Sequence, residues 1–110
     1  MTRLSFDEVW ALVEALSGVI ATGTGKTNTI VSVDHAGVVR VSSTGLRSRI
    51  PISAFRFAVE RLETVCHVTG QEILAATTPL RVSSGVVAVL GSIDRYHLVS
   101  SPVGLRLRGR

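Results

Sequence analysis

Residues 53–69 read SAFRFAVERLETVCHVT, and this stretch decides the fold. Its apolar residues Phe55, Ala58, Val59, Leu62, Val65 and Cys66 recur at helical spacing. They form one face of an amphipathic helix, with Arg56, Glu60, Arg61 and Glu63 predicted to turn outward. Ser53, two residues after Pro51, is the expected N-cap, because a serine hydroxyl accepts an amide proton that the first turn leaves unpaired. Thr69 is a second N-cap, opening a short helix through Gln71, Glu72, Ile73, Leu74 and Ala75. Two helices joined by so few residues form a helix-turn-helix-like unit, with sheet expected upstream.

Working back to the N-terminus, residues 4–17 (LSFDEVWALVEALS) form another amphipathic helix, lined by Phe6, Val9, Trp10, Val13 and Leu16. Ser5 and Glu8 have capping-box spacing, and Gly18 is placed to end the helix. Residues 28–34 and 37–43 alternate as strands do, with Asp34-His35-Ala36-Gly37 as their turn. Thr44-Gly45 makes a second turn into Leu46-Arg47-Ser48-Arg49-Ile50. A turn with two central residues places Ser42 opposite Arg47 and Arg40 opposite Arg49. Arginines facing each other across strands repel, and a bound phosphate relieves that repulsion. Alternatively, the long guanidinium side chains diverge into solvent and keep the sheet edge soluble.

Downstream, residues 77–93 (TTPLRVSSGVVAVLGSI) fit both helix and strand. Val86, Val89, Leu90 and Ile93 have helical spacing behind Ser83 or Ser84 as cap, whereas β-branched valines between Gly85 and Gly91 favour a strand. The helix is preferred, because it supplies a third helix after the helix-turn-helix. Ser83, Ser84, Gly85, Ala88 and Ser92 are then outward and small enough to lie against a DNA backbone. Residues 95–99 and 103–110 follow as a hairpin, in which Arg106 and Arg108 project from one side like a wing.

The whole chain has 110 residues and is expected to be one domain, 1–110, in two halves: helix plus strands over 1–52, helices plus hairpin over 53–110. Apolar residues make up 45% of it, enough to build a core, and no run reaches the roughly 20 apolar residues of a membrane span. Met1-Thr2-Arg3 has no signal-peptide character, which predicts a cytoplasmic location. The net charge is +4, and the cations are segregated. Residues 36–59 carry four arginines and no acid, and residues 73–110 carry five arginines against Asp94. Segregated positive charge is the footprint of a polyanion partner, although a preference for arginine codons yields the same composition.

Catalytic chemistry is not expected. Gly25-Lys26-Thr27 resembles the end of a P-loop, but Ile20 stands where that motif needs its first glycine, and a helix precedes the loop where a strand should. A glycine-rich turn between strands explains the segment better. His35, His67 and His97 are scattered and lack further ligands at metal spacing, so neither metal nor cofactor is implied. Cys66, the only cysteine, is expected to be a buried, inert thiol.

The order of these signals resembles a known type of module. The N-terminal helix leads into the Thr22…Gly25-Lys26 turn, strands Thr29–Val33 and Val38–Ser42, Gly45, and the run Arg47-Ser48-Arg49-Ile50. Ala58 and Leu62, Thr69…Ile73, and Ser84…Val86…Ala88-Val89-Leu90 complete the pattern; Asn28 departs from it where an aromatic is expected. The chain resembles the small α+β modules, winged-helix-like in their C-terminal half, found beside or inside restriction endonucleases and other DNA-modifying proteins. The resemblance implies a non-catalytic DNA-binding or DNA-targeting accessory. Its partners would be double-stranded DNA and a larger DNA-processing protein. Arg40, Arg47, Arg49, Arg81, Arg106 and Arg108 would neutralise phosphates, with Ser83 and Ser84 beside the backbone. The competing reading is a protein-interaction or regulatory subunit that docks through its first helix or sheet face.

Overall fold

Ser5 and Thr69 start helices by the same device. The Ser5 hydroxyl accepts the Glu8 amide at 3.2 Å while the Glu8 carboxylate accepts the Ser5 amide at 3.0 Å. Thr69 and Glu72 repeat the exchange at 3.1 and 2.9 Å. Each pair satisfies donors that a helix start leaves open.

The structure is a computed structural model that describes residues 3–16, 18, 20–22 (backbone), 27–80, 82–100 and 102–108. Its elements are α1 (Phe6–Glu14), β1 (Ile20–Thr22), β2 (Thr27–Asp34), β3 (Gly37–Ser42), β4 (Arg47–Pro51), α2 (Ile52–Val65), β5 (His67–Thr69), α3 (Gly70–Thr77), α4 (Ser83–Leu90), β6 (Tyr96–Ser100) and β7 (Val103–Leu107). The fold is α+β, helix first and then sheet, with two antiparallel sheets ordered β1-β2-β3-β4 and β5-β7-β6. No helix among the described residues is long and apolar enough to cross a membrane.

The core lies between these layers. Ile30, Val38 and Ile50 on the inner face of the first sheet are fully buried, as are Phe55, Ala58 and Leu62 of α2 and Val86, Val87 and Val89 of α4. The second sheet adds Val68, Leu105 and Tyr96. Burying each large apolar side chain is worth about 1.5–3 kcal/mol, so α2, which touches both sheets, holds the two halves together.

Several sequence expectations need correction. Helix α2 begins after Pro51 with no side-chain cap, so Ser53 lies inside the helix. Glu63, expected outside, is buried, while Val65 is 48% exposed. Cys66 lies past the helix in the left-handed region (φ 73°) and is half-buried. There its carbonyl accepts the Leu107 amide at 2.8 Å, which turns the chain into β5. Residues 83–90 are helix, but Gly85 and Ala88 face inward and all of Gly85–Leu90 is buried. The cause is that α2, α3 and strands of both sheets pack around this helix.

The β3–β4 register also differs by one residue. Gly45, at φ +86°, adopts a left-handed conformation, its amide bonds the Ser42 carbonyl and the Ser42 amide bonds the Leu46 carbonyl. The turn therefore has three loop residues rather than two, and a one-residue slip reverses which face each side chain occupies. Arg40 pairs with Ser48, Val39 with Arg49 and Val41 with Arg47. Strand β1 has no clear sequence signal; it pairs with β2, so strands do flank residues 23–26. Gly25 and Lys26 themselves lie outside the described residues, as does Arg81.

Candidate nucleic-acid interface

The predicted phosphate contacts fall at separate places. Arg47 and Arg49 are exposed on the outer face of the first sheet, in register with Val41 and Val39. Thr29 and Ser32 continue these two rows across β2. The outer face thus combines two cations with hydroxyl groups, a mixture suited to phosphate oxygens.

Arg40 is on the inner face and does not join them. It is half-buried, and its Nη1 donates to the Asn28 side-chain oxygen at 2.6 Å. Its Nε is buried without a hydrogen-bond partner. Gly85 makes room for it, because a Cβ there would lie 2.8 Å from Nη1 and 2.6 Å from Ile50 Cδ1. Burial lowers the pKa of Arg40. Its place is under α4, so it is not an outward phosphate contact.

Ser83 is half-exposed and Ser84 exposed, at the start of α4, which has no side-chain cap. They border a hollow of about 340 Å³ whose walls include Leu74, Val87 and Val103. Arg106 projects from the outer face of the second sheet, between inward Leu105 and Leu107. Arg108 does not project beside it as a wing clamp would require. Its Nε donates to the Asp94 carbonyl at 2.7 Å and its Nη2 to the Tyr96 carbonyl at 3.3 Å, which holds it along the turn before β6.

Register reveals neighbours of Arg106 that spacing alone misses. His67 of β5 and His97 of β6 both lie directly opposite it. The three residues form one row across the three strands, on the face away from the core. They border a hollow of about 560 Å³ with no carboxylate in its lining. The histidines are 30 residues apart in the chain, and a three-residue strand such as β5 leaves too short an alternation to align them from sequence.

Glu63, Glu72 and Asp34 are engaged by hydrogen bonds within the chain, whereas Asp7, Glu14, Glu60 and Asp94 are exposed. Both oxygens of Glu63 accept hydrogen bonds: from the Leu4 amide at 2.9 Å, Arg95 Nε at 2.6 Å, Arg95 Nη2 and the Tyr96 hydroxyl at 2.7 Å. Burial pushes its pKa up, but these donors outweigh burial and leave it below the usual carboxylate range. Tyr96 is pushed well above the usual phenol range by burial and by the Glu63 carboxylate. Glu72 is held low chiefly by the Thr69 amide, and it pairs with Arg61. Asp34 is held low by the Ala36 amide at 2.8 Å as it closes its turn.

No family model, curated protein or solved structure matches this chain. Among the described residues, no group of three or more metal-ligating side chains comes together. The distinctive feature is charge: Arg47, Arg49 and Arg106 are exposed and form no ion pair among the described residues, while Glu63 and Glu72 are committed to Arg95 and Arg61.

Proposed function

We propose that this domain is a non-catalytic DNA-binding or DNA-targeting module that grips phosphates through exposed arginines, as an accessory to a larger DNA-processing protein such as a restriction system. The observation that carries the reading is the division of charge just described. Glu63 and Glu72 pair with Arg95 and Arg61, while Arg47, Arg49 and Arg106 are exposed and form no ion pair among the described residues. The sequence of helix α2, strand β5, helices α3 and α4 and hairpin β6–β7, with strand order β5-β7-β6, supports a winged-helix-like reading of the C-terminal half.

The burial of α4 changes the kind of binding proposed. A helix that reads bases must present side chains to the major groove, and here Gly85–Leu90 face protein. Contact is left to Arg47, Arg49 and Arg106, together with the exposed first turn of α4 at Ser83 and Ser84. Such contacts position a duplex without reading its sequence.

Fluorescence-anisotropy titration of labelled duplexes tests this. Affinity should fall steeply between about 50 and 200 mM salt, with a slope of about 0.9 per phosphate contacted, and duplexes of unrelated sequence should bind within a few-fold of one another. Absence of binding at the lowest salt would contradict the proposal. The apolar walls of the hollow at Leu74, Val87 and Val103 favour a second reading, a protein-interaction module, whose binding would respond weakly to salt.

A further inference from the structure

We infer that the row His67–Arg106–His97 is an oxyanion site that holds one phosphoryl group on the outer face of the second sheet. This goes beyond duplex binding and stands without it, because a discrete site can take phosphate from a nucleic-acid backbone or from a free phosphate compound.

The placement follows from strand pairing. Directly opposed residues on neighbouring antiparallel strands have Cβ atoms about 4.5–5.5 Å apart, so both imidazoles flank the base of the Arg106 side chain. A guanidinium offers its N–H donors in a planar fork that matches two phosphate oxygens. An imidazole supplies one N–H donor when neutral and two when protonated. Three donor side chains therefore converge on one strip of surface.

The surroundings keep that strip open to an anion. Gly104 precedes Arg106 by two residues on the same strand and is flanked in register by Thr69 and Val99. A Cβ on Gly104 would collide with the Val68 carbonyl oxygen, so the glycine lets β5 and β7 pair closely, and Val99 and Pro102 provide apolar walls to the hollow. Glu72 of α3 is near enough to His67 for His67 to be a minor cause of its lowered pKa, behind the Thr69 amide. Its carboxylate, however, already accepts the Thr69 amide and pairs with Arg61 of α2. Arg108, the next residue of this face, is tied to the Asp94 and Tyr96 carbonyls. Nothing negative in the lining answers the Arg106 guanidinium. A bound oxyanion supplies that counter-charge and accepts from the guanidinium and imidazole N–H groups.

The test is a two-dimensional ¹H–¹⁵N NMR titration of the full chain with inorganic phosphate, against sodium chloride at matched ionic strength. Saturable shifts should concentrate on the amides of His67, Thr69, His97, Gly104 and Arg106. Arg106→Ala should weaken phosphate binding about tenfold or more, as expected for losing charge-assisted hydrogen bonds, and His67→Ala should weaken it less. Both side chains are exposed, so an unchanged spectrum elsewhere verifies the fold of each variant. Shifts that never saturate, or equal affinity in Arg106→Ala, would overturn the assignment. Dimethyl phosphate and phenyl phosphate then separate the sources. Diester binding comparable to inorganic phosphate assigns the site to a nucleic-acid backbone, and a tenfold preference for the monoester assigns it to a free phosphate compound. The duplex reading is judged separately on Arg47→Ala/Arg49→Ala, which leaves this row intact.

Discussion

Glu63→Ala is expected to lower the free energy of unfolding by about 3–5 kcal/mol, the range for removing one partner of a buried ion pair. The Glu63 side chain is 2% exposed and that of Arg95 13%. Alanine removes the carboxylate that Arg95 and the Tyr96 hydroxyl donate to and releases the Leu4 amide, which ties the N-terminal segment to α2. Since domains are stable by about 5–15 kcal/mol in total, this loss is a large fraction. Urea denaturation measures it directly. Glu63→Gln keeps the volume and one acceptor, so it should be less damaging.

The same carboxylate sets a pH signature. A folded-state pKa below the usual value of 4.5 means that Glu63 contributes its full stabilisation above that pH and loses it as pH falls through the lowered value. Wild type should therefore lose stability progressively below about pH 4.5, while Glu63→Gln should show a flatter profile there. Tyr96 acts at the other end. Its raised pKa means that its contribution is present below pH 10.0, the usual phenol value, and declines above it. A Glu63→Gln profile as steep in acid as wild type would mean that other carboxylates dominate.

Phe55→Ala is the second large effect, at about 3–5 kcal/mol. Phe55 is fully buried and meets Trp10 edge-on, with centroids 5.1 Å apart and planes at 61°. Trp10 stacks on Phe6 at 5.4 Å, Arg56 lies 4.4 Å above the Phe6 ring, and Trp10 Nε1 donates to the Asp34 carbonyl at 3.1 Å. One side chain thus connects α1, α2 and the end of β2. Alanine would empty the centre of that cluster, and Trp10, the only tryptophan, reports the change through its fluorescence. Phe55→Leu should retain most of the stability, because it fills much of the same volume.

These two sites show what the sequence could and could not reveal. Phe55 was legible because helical periodicity marks the buried face of α2, and the caps at Ser5 and Thr69 were legible because both bonds of a capping box are local. Glu63 was not. Its spacing is that of a surface residue, and the partners that draw it inward, Leu4 and Arg95, are 59 and 32 residues away. Arg40 was misplaced because a three-residue turn at Gly45 shifts the register by one, and sequence alone did not distinguish the two turn lengths. Helix α4 was recognised, but the burial of Gly85–Leu90 depends on α2, α3 and strands of both sheets packing around it. Of the candidate site, Arg47, Arg49 and Arg106 are exposed as expected, Arg108 is turned aside, and His67 and His97 emerge only from strand register.

The most direct test of the central claim, that exposed arginines bind DNA phosphates, is the salt dependence of duplex affinity in Arg47→Ala/Arg49→Ala/Arg106→Ala beside wild type. These side chains are exposed and substitution should leave the fold unchanged. If all three contact phosphates, the slope of log affinity against log salt should fall by about 2.5 to 3 in the variant. An unchanged slope with wild-type affinity would show that DNA, if it binds, is held elsewhere, and would contradict this account.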